Sequence, residues 1–257
     1  MSHMLHLFGL GANVDVRCGG PHVELLVERM RSAWSRCIVD DPIADAPTAE
    51  PVDVVGPVDA ESLGSVLMRT TQLITHALIK AQAGRLLMLH AGAVSNPSTS
   101  DSLIFVAPGG TGKTTLVRRL GTHCGYLTDE TVGIAGDGVI LPYPKPLSVR
   151  RVDSPGLKDE ISPDCLGLMP ADSAARARRI VVLERRADTP RPLVEELTTM
   201  EALFELTPQT SSLTRLSKPL HHLAGTIEAF GPVLRVTYDE SAHIEDALLE
   251  LISGGRA

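Results

Sequence analysis

Nine consecutive residues, Ala107-Pro108-Gly109-Gly110-Thr111-Gly112-Lys113-Thr114-Thr115, combine three glycines, a lysine and hydroxyls at a spacing suited to holding phosphate. The run is GxxxxGK[ST] with alanine in the first glycine position. Glycines let successive backbone N–H groups turn inward as a nest for anionic oxygens, and a helix starting near the lysine adds its positive N-terminal end. Lys113 then reaches the outer phosphates of a nucleotide and the Thr114 hydroxyl ligates Mg²⁺. Pro108, Gly109, Gly110, Thr111, Gly112, Lys113, Thr114 and Thr115 are therefore the candidate nucleotide-binding residues. A glycine-rich turn with a surface lysine is the alternative, and the strand-like run before the loop and helical run after it speak against that.

A second cluster follows sixteen residues beyond Lys113, where Tyr126-Leu127-Thr128 leads into Asp129-Glu130. An acidic pair at the end of the strand that follows the phosphate-loop helix faces the phosphates. One carboxylate can hold Mg²⁺ and the other can accept the proton of an attacking hydroxyl, without the spacing deciding which does which. A solvated turn is the competing account. His90 closes the apolar run Leu86 to Leu89 and can lie at the same sheet edge, hydrogen-bonded to a carboxylate, although a histidine there is more often a satisfied structural residue. The candidate catalytic set is Asp129, Glu130, His90 and Lys113, and the candidate metal ligands are Thr114, Asp129 and Glu130.

The elements that must position these groups read as α/β. Leu103 to Val106 is a buried strand, Thr114 to Gly121 a helix, and Tyr126 to Ala135 extended, with Asp137-Gly138 a hairpin turn before Val139 to Leu141. Ile180 to Leu183 and Val233 to Val236 are further strands; helices are expected at Met200 to Leu206, Ser211 to Ala224 and His243 to Ile252. Before the loop, one helix from His22 to Cys37 carries Leu26, Met30 and Trp34 on a stripe, and another spans Ala60 to Ala83 with Gly84 to end it. Asp40 to Pro57 and Arg151 to Ala175 are proline-interrupted and read as irregular, the second as a long functional loop. This gives an N-terminal α+β leader region, 1–83, and a loop-bearing domain, 84–257.

At 257 residues the chain is long enough for a conventional core, and 43% hydrophobic with 21% charged residues is a globular composition. Lys and Arg number 24 against 31 Asp and Glu, so the formal charge of −7 disfavours nucleic acid and anionic membrane as partners. No apolar run approaches the ~20 residues that cross a bilayer. Cys18, Cys37, Cys124 and Cys165 include no CxxC pair and read as reduced thiols, and with no signal-peptide pattern at the start the expected location is cytoplasmic.

Several phosphate-loop classes are excluded by what is missing. Pro108 stands where ParA-like and MinD-like ATPases carry a signature lysine, no NKxD suits a GTPase, and no LSGGQ-like run suits an ABC ATPase. In order, Leu89-His90-Ala91-Gly92-Ala93-Val94, the loop Ala107 to Thr115, and Leu127-Thr128-Asp129-Glu130 resemble the HPr kinase/phosphorylase-like proteins, whose loop domain is also similar to that of phosphoenolpyruvate carboxykinase. Tyr143-Pro144-Lys145-Pro146-Leu147 is similar to a proline-rich strand in the branch accompanying peptide-modifying gene clusters. The resemblance runs from about Leu87 to the C-terminus. It implies a loop domain of HPr-kinase/phosphoenolpyruvate-carboxykinase type, ATP with Mg²⁺, phosphorylation of a serine or threonine hydroxyl on a peptide or protein, and a homo-oligomer. Glu130 departs from the family's usual aspartate pair, and the glutamate- and glycine-rich segment tied to HPr recognition is not found, so HPr is not the expected acceptor.

Two other readings stand beside a peptide kinase: a kinase of a small hydroxylated metabolite, and a non-catalytic nucleotide-binding module that recognises a partner. Lesser candidates are Glu184, which ends Ile180 to Leu183 like a Walker B carboxylate, and Lys145, Arg150 and Arg151 as anion clamps. Arg176, Arg178 and Arg179 read as a solvated face, Cys124 beside His123 as a structural thiol, and His221-His222 lacks the spacing of a metal site.

Overall fold

Alternation of apolar and polar side chains decides the first elements. Leu5 and Leu7 in strand β1 (His3–Gly9) and Val14, Val16 and Cys18 in β2 (Ala12–Gly19) are buried, while Met4, before Leu5, and Arg17, between Val16 and Cys18, are exposed. The strands pair antiparallel from His3↔Cys18 to Gly9↔Ala12. Leu10 and Gly11, with φ of 53° and 68°, form the two-residue turn, both positive as such a hairpin requires. In the computed structural model, which describes residues 3–59, 62–151 and 156–253, the chain then forms α1 (Val23–Ala33), β3 (Ile38–Val39), β4 (Val52–Val55) and α2 (Leu63–Gln82).

The loop-bearing part continues with β5 (Leu87–Ser95), β6 (Asp101–Val106), α3 (Lys113–Leu120), β7 (Gly125–Thr128), β8 (Thr131–Ile134) and β9 (Ile140–Leu141). It is followed by β10 (Leu147–Arg150), β11 (Lys158–Ile161), β12 (Met169–Pro170), β13 (Arg176–Arg185) and β14 (Leu193–Glu196). Helix α4 (Thr199–Leu206), β15 (Thr210–Ser211), α5 (Pro219–Phe230), β16 (Leu234–Tyr238) and α6 (Glu245–Ile252) complete a mixed α/β chain. Among the described residues no helix is long and apolar enough to cross a membrane.

Two compact units result, and neither is continuous in sequence. The first comprises Met1–Gln82 and Tyr143–Gly167, the second Ala83–Pro142 and Leu168–Ala257. A division at 83/84 alone therefore leaves out the excursion 143–167, which packs with the N-terminal elements. In the first unit the sheet order is β3-β1-β2-β4, and β10 and β11 form a separate antiparallel pair. Tyr143 is buried there, its ring 6.2 Å from that of Trp34 and its hydroxyl 2.8 Å from Thr75 Oγ1. Fully burying side chains such as Leu26, Met30 and Ile74 contributes roughly 1.5–3 kcal/mol each.

The second unit is built on a sheet whose main path is β12-β7-β5-β6-β13-β16-β14. β6 lies between β5, antiparallel, and β13, parallel, and β13 is parallel to β16. Leu89, Ala91, Ile104, Val106, Leu127, Ile180 and Val182 join Leu206, Leu223 and Ile227 of the helices in its core.

Four expectations are corrected. Asp40 to Pro57 is not wholly irregular, because Val52–Val55 pairs parallel to β2 at the edge of the four-stranded sheet. Arg151 to Ala175 is not one long loop. Lys158–Ile161 returns along Leu147–Arg150 and Met169–Pro170 joins β7, with part of the segment, 152–155, outside the described residues. The helix expected at Ser211 to Ala224 begins only at Pro219, whose fixed φ suits a first helical position, and runs to Phe230. The strand expected at Leu86 to Leu89 extends to Ser95.

Candidate functional site

Strand β6 delivers the chain into the glycine-rich loop, and α3 takes it away. Gly110 and Gly112 have φ of 87° and 109°, so two of the three loop glycines occupy backbone that side chains disfavour. Ala107 is not among the positive-φ residues and is buried, which is why alanine serves where the motif has glycine. No side chain caps the start of α3, whose N-cap is Gly112 itself, so its first N–H groups stay available to an anion. Pro108, Gly109, Gly110 and Thr115 are exposed.

Lys113 is 6% exposed, and its ammonium donates to the Ala107 carbonyl at 2.5 Å and to that of Pro108 at 3.4 Å. The loop thus folds its own cation back on itself. Burial pushes the Lys113 amine down to about 8, with the charges of Asp129 and Glu130 opposing that shift.

The acidic pair occupies the turn between β7 and β8, both of which pair with β5. Thr128 Oγ1 accepts the N–H groups of Glu130 at 3.3 Å and Thr131 at 3.4 Å, and the Glu130 carbonyl accepts Ala91 N–H at 3.0 Å. Asp129 is 5% exposed, and the Thr114 hydroxyl donates to its Oδ2 at 2.9 Å. The Tyr126 hydroxyl donates to Oδ1 at 3.3 Å. Glu130 is half-buried. Gly92 lets the pieces close up, since a Cβ there would meet Val117 Cγ2 at 2.5 Å and come within 3.8 Å of the Asp129 Cα.

His90 pairs across the strands with Thr131. Burial lowers its pKa, and so does Lys113, while Glu130 and Asp129 act the other way. The imidazole is therefore neutral near pH 7 and lies within the field of all three charges. The structure thus brings Lys113, Thr114, Asp129, Glu130 and His90 into one site. Tyr126, Thr128 and Gly92 complete it. These three lie inside quoted motifs, but nothing in their spacing marks the contacts they make.

The other candidates have different employment. Glu184 accepts from Arg186 at 2.7 Å and lies 4.0 Å from Arg235. Lys145 is buried in the first unit, where its ammonium donates to the Pro146 carbonyl at 3.0 Å, and Arg151 pairs with Asp159 at 2.7 Å in the same unit. Arg176 and Arg179 hydrogen-bond to the carbonyls of Asp137 and Pro232. Burial raises the Cys124 thiol, as it raises Cys18 to about 11 and Cys37 to about 12, and none of the four cysteines is disulfide-bonded.

No family model and no curated protein matches this chain. Among solved structures, the HPr(Ser) kinase/phosphatase from Coxiella burnetii aligns at 12% identity, over 65% of this chain and 93% of that one, with a TM-score of 0.34.

Proposed function

We propose that the site binds a nucleoside triphosphate, expected to be ATP, with Mg²⁺ and transfers the γ-phosphoryl group to a serine or threonine hydroxyl of a peptide or protein. The observation that carries this reading is the bond from Thr114 to Asp129, which ties the end of the glycine-rich loop to the acidic turn. Phosphate recognition and proton acceptance then occur in one place. The choice of a peptide acceptor rests on the ordered motifs that resemble HPr-kinase-like proteins.

The donor set suits Mg²⁺, which prefers hard oxygens and takes one or two carboxylates together with substrate phosphates. Thr114 and Asp129 would hold it, and it would supply neutralisation of charge on the phosphate oxygens. Lys113 leaves the Ala107 carbonyl for the β- and γ-phosphates, and the amides of the loop take the remaining oxygens. Glu130, half-buried next to Asp129, would accept the acceptor's proton as the acceptor oxygen forms the bond to γ-phosphorus and the β-phosphate oxygen leaves. His90 borders the pair, within the field of both carboxylates.

The test is incubation with Mg²⁺ and γ-labelled ATP, with and without a hydroxyl-bearing peptide pool, followed by mass spectrometry. Label on peptide serine or threonine is the expected result, and Glu130→Gln should retain nucleotide binding while losing about 10²–10⁴-fold in turnover. Nucleotide binding with no transfer to any peptide would overturn the peptide-kinase reading in favour of a small acceptor or a binding module.

A further inference from the structure

We infer that Tyr238, which lies outside every phosphate-loop motif, is a positioning residue that sets the direction of the Gly112 amide and so completes the phosphate nest. The inference rests on the reading of the glycine-rich loop given above and extends it to a residue 127 positions away. Tyr238 ends β16, is 1% exposed, and donates its hydroxyl to the Thr111 carbonyl at 3.1 Å. Its strand reaches the loop through the sheet: Tyr238 pairs with Arg185 of β13, whose Val182 pairs with Val106 at the end of β6.

The consequence follows from peptide geometry. In a trans peptide the C=O and the next N–H point to opposite sides. Drawing the Thr111 oxygen toward Tyr238 turns the Gly112 N–H away from it, on the opposite side of the peptide. The position is crowded with hydroxyls but not blocked, since a Cβ on Gly112 would stand 3.7 Å from the Tyr238 oxygen and 3.8 Å from Ser241 Oγ. Other loop carbonyls are held from within: Pro108 by the Thr111 hydroxyl at 2.9 Å and Ala107 by Lys113. Lys113 must let go of Ala107 when phosphate arrives, whereas the tether from Tyr238 can stay in place. Burial raises the phenol's pKa from its ordinary 10, so the hydroxyl remains a donor across the neutral range.

Tyr238→Phe removes one oxygen and keeps the ring. Titration calorimetry on the full chain, with inorganic tripolyphosphate, MgADP and adenosine as probes, should show tripolyphosphate and MgADP weakened by about 3- to 10-fold and adenosine unchanged. Amide exchange in 107–113 should quicken in the same variant while β13 keeps its protection. Equal phosphate affinity in Tyr238→Phe and the unaltered protein would overturn the tether and leave the proposed function standing. Equal weakening of adenosine would also overturn it, since the effect would not be directed at phosphate. If the unaltered protein binds neither tripolyphosphate nor MgADP, the loop reading and the tether fall together.

Discussion

The two units handle charge in different ways. In the first, opposite charges meet mostly at the surface, as in Arg17–Asp53 at 3.0 Å, Lys80–Glu50 at 2.8 Å and Arg36–Asp164 at 2.8 Å. Each couple is finished: cation and anion answer one another and water covers what is left. In the second, Lys113 and Asp129 are both buried, yet the lysine spends its hydrogen bonds on carbonyls of its own loop and the aspartate receives hydroxyls. Carbonyls are weaker partners for an ammonium than phosphate oxygens. At the glycine-rich loop the present bonds are therefore replaceable, while the paired surface charges of the other unit have no better partner to wait for.

The comparison can be broken most directly at the lysine. Lys113→Ala should weaken MgATP by about 100-fold, the loss of one to two charge-assisted bonds, with little change in a urea melt. Unchanged affinity by calorimetry would mean that the buried charge serves packing only. Gly56→Ala should show the opposite pattern, because its Cβ would sit 2.0 Å from the Pro21 carbonyl oxygen, backbone that cannot swing aside. A loss of about 2 kcal/mol in urea-melt stability is expected, with phosphate affinity kept at temperatures where the protein is folded. If that affinity falls as well, the separation drawn between the units is wrong.

A subtler test uses pH. The Lys113 amine is lowered to about 8 from 10.5, and the charged form binds phosphate, so tripolyphosphate affinity should drop by roughly 3- to 10-fold between pH 7 and 9. Flat affinity to pH 9 would place this amine's titration higher. The sign for folding is reversed: between about 8 and 10.5 the unfolded chain binds the extra proton, so this group's share of the stability rises with pH. The smallest effect belongs to the exposed couples, where Arg17→Ala should shift a urea melt by under about 0.5 kcal/mol. A larger shift would show that surface pairing in the first unit matters more than its exposure suggests.

Legibility in the sequence divides along the same line. The loop and acidic turn could be read because their chemistry is local: glycines, lysine and hydroxyl lie within nine residues, and a short helix and strand carry the acids back. The hairpin of β1 and β2 is hard to see in the sequence although Leu5, Leu7, Val14 and Val16 alternate, because its turn is Leu10-Gly11 and carries none of the Asn-Gly or Asp-Gly chemistry that announces such turns. Lys158-Asp-Glu-Ile161 is a strand made mostly of charges, which exists because Leu147–Arg150 lies beside it. Tyr238 had no signal at all, since a hydrogen bond to Thr111 is set by sheet order and not by spacing.

The discontinuity of the first unit has a bearing on synthesis. When Gln82 leaves the ribosome, the sheet and both helices of that unit have been made, but Tyr143, which fills the space against Trp34 and Thr75, has not. Another 85 residues must follow before Gly167 completes the set, about 4 to 17 s at usual elongation rates. During that interval the nascent chain carries an unfinished apolar surface, and the strands of the phosphate loop and acidic turn emerge beside it. This unit is therefore begun before the loop-bearing one and completed only after part of that one has been made.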